Sequence, residues 1–144
     1  MTAALPDDRP RASRLVLEFR AGDKMLVNGA ALQFRTRASV VLSNRVRFLF
    51  GKQILAPEDA STPARRVYFA VQAAYVCEDS ERPRYLEMAS TLAAEYAEAT
   101  TSAIARRMLE QAIIDLEAGN CWEAMRRIRE LFAHDDAVLP PPQA

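Results

Sequence analysis

The sequence predicts an α+β fold, with a small N-terminal antiparallel β-hairpin module followed by a bundle of about four α-helices. Three observations carry that expectation. Apolar residues alternate with polar ones through the first third of the chain, then recur with a period near 3.6 beyond Pro57. An Asn28-Gly29 pair separates two short apolar runs, which is a strong local hairpin signal because both residues tolerate positive φ. Half of the 144 residues are hydrophobic, enough to build a core and too many for a disordered chain.

The β module is expected over residues 13–56, after a flexible arm at 1–12. Leu15, Leu17 and Phe19 share one face of a first strand, and Gly22-Asp23 marks a turn. Met25-Leu26-Val27 leads into the Asn-Gly turn, and the return strand runs from Ala31 to Arg37 with Leu32 and Phe34 on one face. Val40-Val41-Leu42, a Ser43-Asn44 turn and the alternating segment Arg45–Phe50 read as a second hairpin. Gln53-Ile54-Leu55 reads as a last short strand.

The helical bundle is expected over residues 57–134. Thr62 can cap a first helix with Pro63 at its first position, where no N–H is needed. Glu78-Asp79-Ser80 breaks that helix, and Pro83 restarts the period. A third helix covers about 102–118 and stops at Gly119, and Asn120 opens a fourth, with Glu123 in capping-box register. The proline-rich end, residues 135–144, is expected to be disordered.

Catalytic constellations are scarce. His134 is the only histidine, which rules out a two-imidazole metal site within one chain, and its place near a helix end suits a dipole partner. Neither a CxxC pair, a P-loop nor a GxGxxG run occurs, and the acidic clusters Glu58-Asp59 and Glu78–Glu81 lie at helix boundaries. Catalytic residues, metal and cofactor are therefore all read as none. Cys77 and Cys121 read as buried thiols. No apolar run approaches the roughly 20 residues of a membrane span. Asp7 and Asp8 stand where a signal peptide would be apolar, so a cytoplasmic protein without membrane contact is expected.

Charge is the more informative property. Net charge is zero, yet residues up to Arg66 hold 12 Lys/Arg against 6 Asp/Glu, and those after it hold 7 against 13. A basic half next to an acidic half suits either mutual docking or an anionic partner for the first. Strand phase puts Arg35 and Arg37 on one face and Arg45 and Arg47 on one face of the next hairpin, with Arg20, Lys24 and Lys52 at the rim. Guanidinium forks match phosphate oxygens and stack on bases, so these seven residues are the candidate RNA-binding set. The competing role for exposed cations is to protect strand edges from aggregation.

The runs Ala21–Ala30 (AGDKMLVNGA), Ala56–Ala60 (APEDA) and Thr62–Gln72 (TPARRVYFAVQ) resemble the FlbT family in order and spacing, over roughly residues 14–133. That resemblance implies a post-transcriptional regulator that binds the 5′ untranslated region of flagellin mRNA and promotes its decay or controls its translation. It also implies a circuit shared with a small FlaF-type protein. Where the family commonly has Pro-Gly-Glu-Arg at the first turn, this chain has Ala21-Gly22-Asp23-Lys24, which keeps the glycine and the charge order. The Gly-Asp-Lys turn and hairpin are also similar, over about 25 residues, to the carbon storage regulators that bind mRNA leaders as dimers.

A second expectation is a protein-interaction module holding flagellin or a FlaF-type partner among its helices, with only indirect effects on mRNA. Trp122, the only tryptophan, is then either core filler or the anchor of that interface. Strand edges in so small a module also allow a homodimer.

Overall fold

The computed structural model describes residues 15–138; the expected arm and most of the expected tail lie outside them. Among the described residues five strands are followed by four helices, an antiparallel β module on a helical bundle as the periodicity implies. The strands are β1 (Leu15–Phe19), β2 (Lys24–Val27), β3 (Ala30–Gln33), β4 (Ala38–Leu42) and β5 (Phe48–Phe50). The helices are α1 (Pro63–Val76), α2 (Arg82–Ala99), α3 (Ala103–Glu117) and α4 (Cys121–Val138).

The strands form two sheets, a β1-β4 ribbon and a three-stranded β3-β2-β5 sheet. The Asn-Gly hairpin is present: Asn28 has φ 49° and Gly29 has φ 82°, and β2 pairs with β3 from Lys24↔Gln33 to Val27↔Ala30. The second hairpin expected around Ser43-Asn44 does not form. Neither residue adopts positive φ, and β4 and β5 belong to different sheets. β4 pairs instead with β1 (Leu15↔Leu42 to Phe19↔Ala38), and β5 with β2 (Met25↔Phe50 to Val27↔Phe48).

Aromatic packing explains that choice. Leu17, Phe19, Met25 and Phe48 are buried between the two sheets, with Phe34 and Phe50 against them. Phe19 stacks on Phe34 at 4.0 Å between ring centroids and meets Phe50 edge-on at 6.0 Å. A local β4–β5 hairpin would leave these rings without the opposing sheet. The other face of the three-stranded sheet, through Leu26 and Leu49, joins the helical core.

The expected strand at Gln53–Leu55 is absent. A 3-10 turn occupies Gly51–Gln53, and Leu55 bonds to a side chain instead. Its N–H donates to Gln72 Oε1 at 2.8 Å and its carbonyl accepts from Gln72 Nε2 at 3.0 Å, so a buried amide replaces a strand partner.

In the bundle α1 packs against α2 and α4, and α3 closes the far side between those two. Thr62 and Ser102 cap α1 and α3, their hydroxyls accepting from Arg65 N and Ala105 N, each at 3.2 Å. Ala89, Ala93 and Ala97 form a small-residue seam on α2 that lets its neighbours approach closely. Gly119 takes φ 78° where α3 turns into α4, and its N–H closes the turn on the Leu116 carbonyl.

α4 runs on to Val138, so residues 135–138 correct the expected start of a disordered tail. Two acids at a helix C-terminus oppose its own dipole. Here they serve the start of α1. Fully buried Asp135 accepts from Ala64 N at 2.8 Å, and Asp136 accepts from Arg65 Nη1 and Nη2 at 2.7 and 3.0 Å.

Candidate nucleic-acid interface

Strand register brings most of the candidate cations to one end of the β module. β1 and β4 pair as far as Phe19↔Ala38, so one step further Arg20 faces Arg37. The Arg20 N–H donates to Asp23 Oδ2 at 2.7 Å, which folds the turn into β2 and brings Lys24 to the same end. Lys24 pairs with Gln33, and Phe34 bonds back to the turn through Gly22 N and Asp23 O, so Arg35 follows there. On the other side of β2, Met25 pairs with Phe50, which places Lys24 one step from Gly51 and hence close to Lys52.

Arg20, Lys24, Arg35, Arg37 and Lys52 are all exposed. Arg35 and Arg37 lie in the β3–β4 connection and not on a strand, because β3 ends at Gln33. The grouping is therefore made by register within each sheet and by the turns that join the sheets, not by alternation along one strand.

The expected four-arginine face does not exist. Arg45 is exposed but lies beyond the opposite end of β4. Arg47 is buried at 7% exposure; its Nε donates to the Tyr75 carbonyl at 2.8 Å and its guanidinium pairs with Asp79. It clamps the entry of β5 to the α1–α2 corner. Only two residues separate Ser43-Asn44 from Arg47, and without a tight turn there its side chain points into the protein.

Helix α4 adds a feature that the charge count concealed. Trp122, Arg126 and Arg129 stand at i, i+4 and i+7, one stripe beside the buried face. With Gln53, Tyr68 and Met125 they line a hollow of about 150 Å³. Arg129 Nη2 donates to the Lys52 carbonyl at 2.7 Å, tying this stripe to the basic end of the sheet. Its guanidinium lies 5.1 Å from the Tyr68 ring centroid and 5.7 Å from that of Phe132. Burial pushes the Tyr68 phenol above its ordinary range, against the lowering influence of Arg129. Arg126 is paired with Glu123 at 2.7 Å. Trp122 is 41% exposed, its ring 5.8 Å from that of Tyr75, so it is half packed and half presented. The i, i+4, i+7 spacing was the signal available in the sequence for this stripe.

A larger hollow of about 560 Å³ opens among the starts of α1 and α3 and the end of α4, lined by Arg66, Tyr96, His134 and Asp135 among others. The Asp135 carboxylate there is engaged by Ala64 N–H and by the Tyr96 hydroxyl. Burial, and then the bond to Asp135, raise the Tyr96 phenol well above the ordinary tyrosine range. Both groups are committed to holding helices together. Among the described residues no helix is long and apolar enough to cross a membrane.

The class so defined is an α+β protein whose two-sheet β module, basic at one end, stands on a four-helix bundle with a Trp-Arg stripe adjoining that end. The chain belongs to the FlbT family: the family model described as flagellar protein FlbT matches residues 15–139. A relative from Chelativorans sp., named probable flagellum biosynthesis repressor protein FlbT, is 30% identical over 126 residues, covering 85% of this chain and 84% of its own. A Bradyrhizobium diazoefficiens relative, named probable flagellum biosynthesis repressor protein FlbT 2, is 32% identical over 127 residues (85% and 90%). One from Brucella anthropi, with the same name as the first, is 32% identical over 146 residues (94% and 91%). No solved structure matches the chain.

Proposed function

We propose that this protein controls flagellum biosynthesis by binding the 5′ leader of flagellin mRNA, so that the message is decayed or its translation is controlled. Family membership and the repressor names of its relatives support the flagellar role. One observation carries the RNA reading: Arg20, Lys24, Arg35, Arg37 and Lys52 come from four separate segments, and the fold gathers them at one end. Arg129 and the half-exposed Trp122 extend that end onto α4.

The division of labour follows from chemistry. The lysines and arginines neutralise phosphates, which gives affinity without sequence preference. An indole edge beside two guanidinium groups offers an unpaired base a stacking partner. Single-stranded leader segments fit such a surface better than a duplex, whose bases are already stacked. Leader RNA should therefore bind tightly and quench Trp122 fluorescence. Replacing Arg20, Lys24, Arg37 and Lys52 by Gln should weaken binding at least tenfold while the circular dichroism spectrum stays unchanged. A folded quadruple variant with full affinity would remove this surface as the site.

A second reading has Trp122 itself in its favour. A large aromatic ring left 41% exposed beside a small hollow suits a protein anchor, such as a FlaF-type partner or flagellin. Recovery of such a partner that survives nuclease treatment and is lost in Trp122→Ala would favour it over direct RNA contact.

A further inference from the structure

Among the described residues the outer edge of β3 ends the three-stranded sheet with no strand beyond it. All four of its residues, Ala30, Ala31, Leu32 and Gln33, are exposed, and Leu32 shows 44% of its surface. The strand contains none of the charges, prolines or bulges that normally protect an edge. Among the described residues no helix or loop covers it with a backbone bond.

The hydrogen-bond phase of this edge is fixed by the rest of the sheet. Phe34 donates to the Asp23 carbonyl and accepts from Gly22 N, so its peptide groups face β2. Alternation gives Leu32 and Ala30 the same direction and turns the N–H and C=O of Ala31 and Gln33 outward. Gly29 would be next in that outward series, but its N–H is already spent on the Val76 carbonyl.

We propose that the β3 edge pairs with the β3 edge of a second copy of this chain, antiparallel about a two-fold axis through Leu32. An axis through a residue keeps opposed side chains on one face of the sheet, as pairing requires. Of the two central residues, Ala31 on the axis would call on Gly29, whose donor is occupied. Leu32 on the axis uses Ala31 and Gln33 of each strand against Gln33 and Ala31 of the other, and every outward group of β3 itself finds a partner. The two exposed leucines meet at the centre, and the two sheets join into one, β5-β2-β3 of each copy.

Charge favours the same register. Antiparallel pairing brings the basic end of one copy to the opposite end of the other. There Gly29 packs against Glu78, and a shallow hollow beside Ala30 and Ala31 is lined by Glu78, Glu81 and Tyr85. Arg35 of each copy, two residues past Gln33, falls opposite Gly29 and so beside Glu78 of the second copy. A second copy is thus complementary in hydrogen bonds, apolar contact and charge, an isologous interface. Arg20, Arg37 and Lys52 stay on the outer side of β2 or at the β1–β4 ribbon, away from the seam.

Light scattering on the eluting full chain tests this. Wild type should run as a dimer at tens of micromolar. Leu32→Lys should run as a folded monomer, since it sets two like charges together at the axis. Arg35→Glu should weaken the dimer, and adding Glu78→Arg should restore it. In oxidising buffer Leu32→Cys should cross-link between chains, because central residues of a non-hydrogen-bonded pair lie about 4.5 Å apart at Cα, within disulfide reach. A monomeric wild type, a dimer that persists in Leu32→Lys, or failure of Leu32→Cys to cross-link would each overturn the pairing.

Discussion

The Asp135 carboxylate joins three helices with two bonds, to the first turn of α1 through Ala64 N–H and to α2 through the Tyr96 hydroxyl. It is completely buried, so its removal leaves the buried Ala64 N–H and the half-buried Tyr96 hydroxyl without their acceptor. Asp135→Ala should lower the free energy of unfolding by about 2–4 kcal/mol, as unpaired buried groups cost. Urea titration checks this, and a loss inside the roughly 0.5 kcal/mol scatter of surface substitutions would contradict it. Tyr96 gives the pH dependence. Its folded pKa is raised above the ordinary 10.0, so the unfolded chain ionises first as pH rises. The stability tied to the neutral phenol is complete below pH 10 and is lost progressively above it. Tyr68 is raised in the same direction by burial. The urea midpoint should therefore hold to about pH 9 and fall beyond 10, and Tyr96→Phe should fall less steeply. Equal slopes in the two proteins would assign the alkaline loss elsewhere. The sequence marked neither residue for these roles, since a tyrosine on an apolar stripe and an acid near a chain end look ordinary until the helices are docked.

At the scale of elements, hairpin β2–β3 was legible because its cause is local. Asn28 and Gly29 alone meet the φ requirement of a two-residue turn. Gly29→Ala should destabilise by about 1–3 kcal/mol, both from its positive φ and because a Cβ would stand 3.3 Å from Glu78 Cγ. A thermal melt within a degree of wild type would show that the turn relaxes. The α1 start was legible for the same reason, its Thr62 cap being read within one turn. Pairings that depend on distant segments were not. The alternation of β4 and β5 is satisfied equally by a hairpin with each other or by pairing with β1 and β2, and only the buried Phe19, Phe34, Phe48 and Phe50 cluster decides. Gln72 standing in for a strand against Leu55 has no sequence signature, because it acts across 17 positions.

For the whole molecule, opposite charges on the two halves were readable, but their arrangement was not. The excess of positive charge concentrates at one end of the β module, while Arg47 is drawn to the acidic α1–α2 corner and Arg126 is paired on α4. Some cations therefore dock the halves together, as Arg47 does, and others remain outward. The candidate surface shifted accordingly, losing Arg45 and Arg47 and gaining Arg129 beside Trp122. An end formed by register from four segments should survive loss of any one cation and respond to their sum. The most direct test is the salt dependence of binding to a labelled flagellin leader, measured by fluorescence anisotropy for wild type and for the variant with Arg20, Lys24, Arg37 and Lys52 changed to Gln. With single-stranded RNA each phosphate contact contributes about 0.7 to the slope of log affinity against log salt, so the variant's slope should be shallower by about 3. Equal slopes, or a wild type that fails to bind at low salt, would contradict direct recognition of the message by this surface.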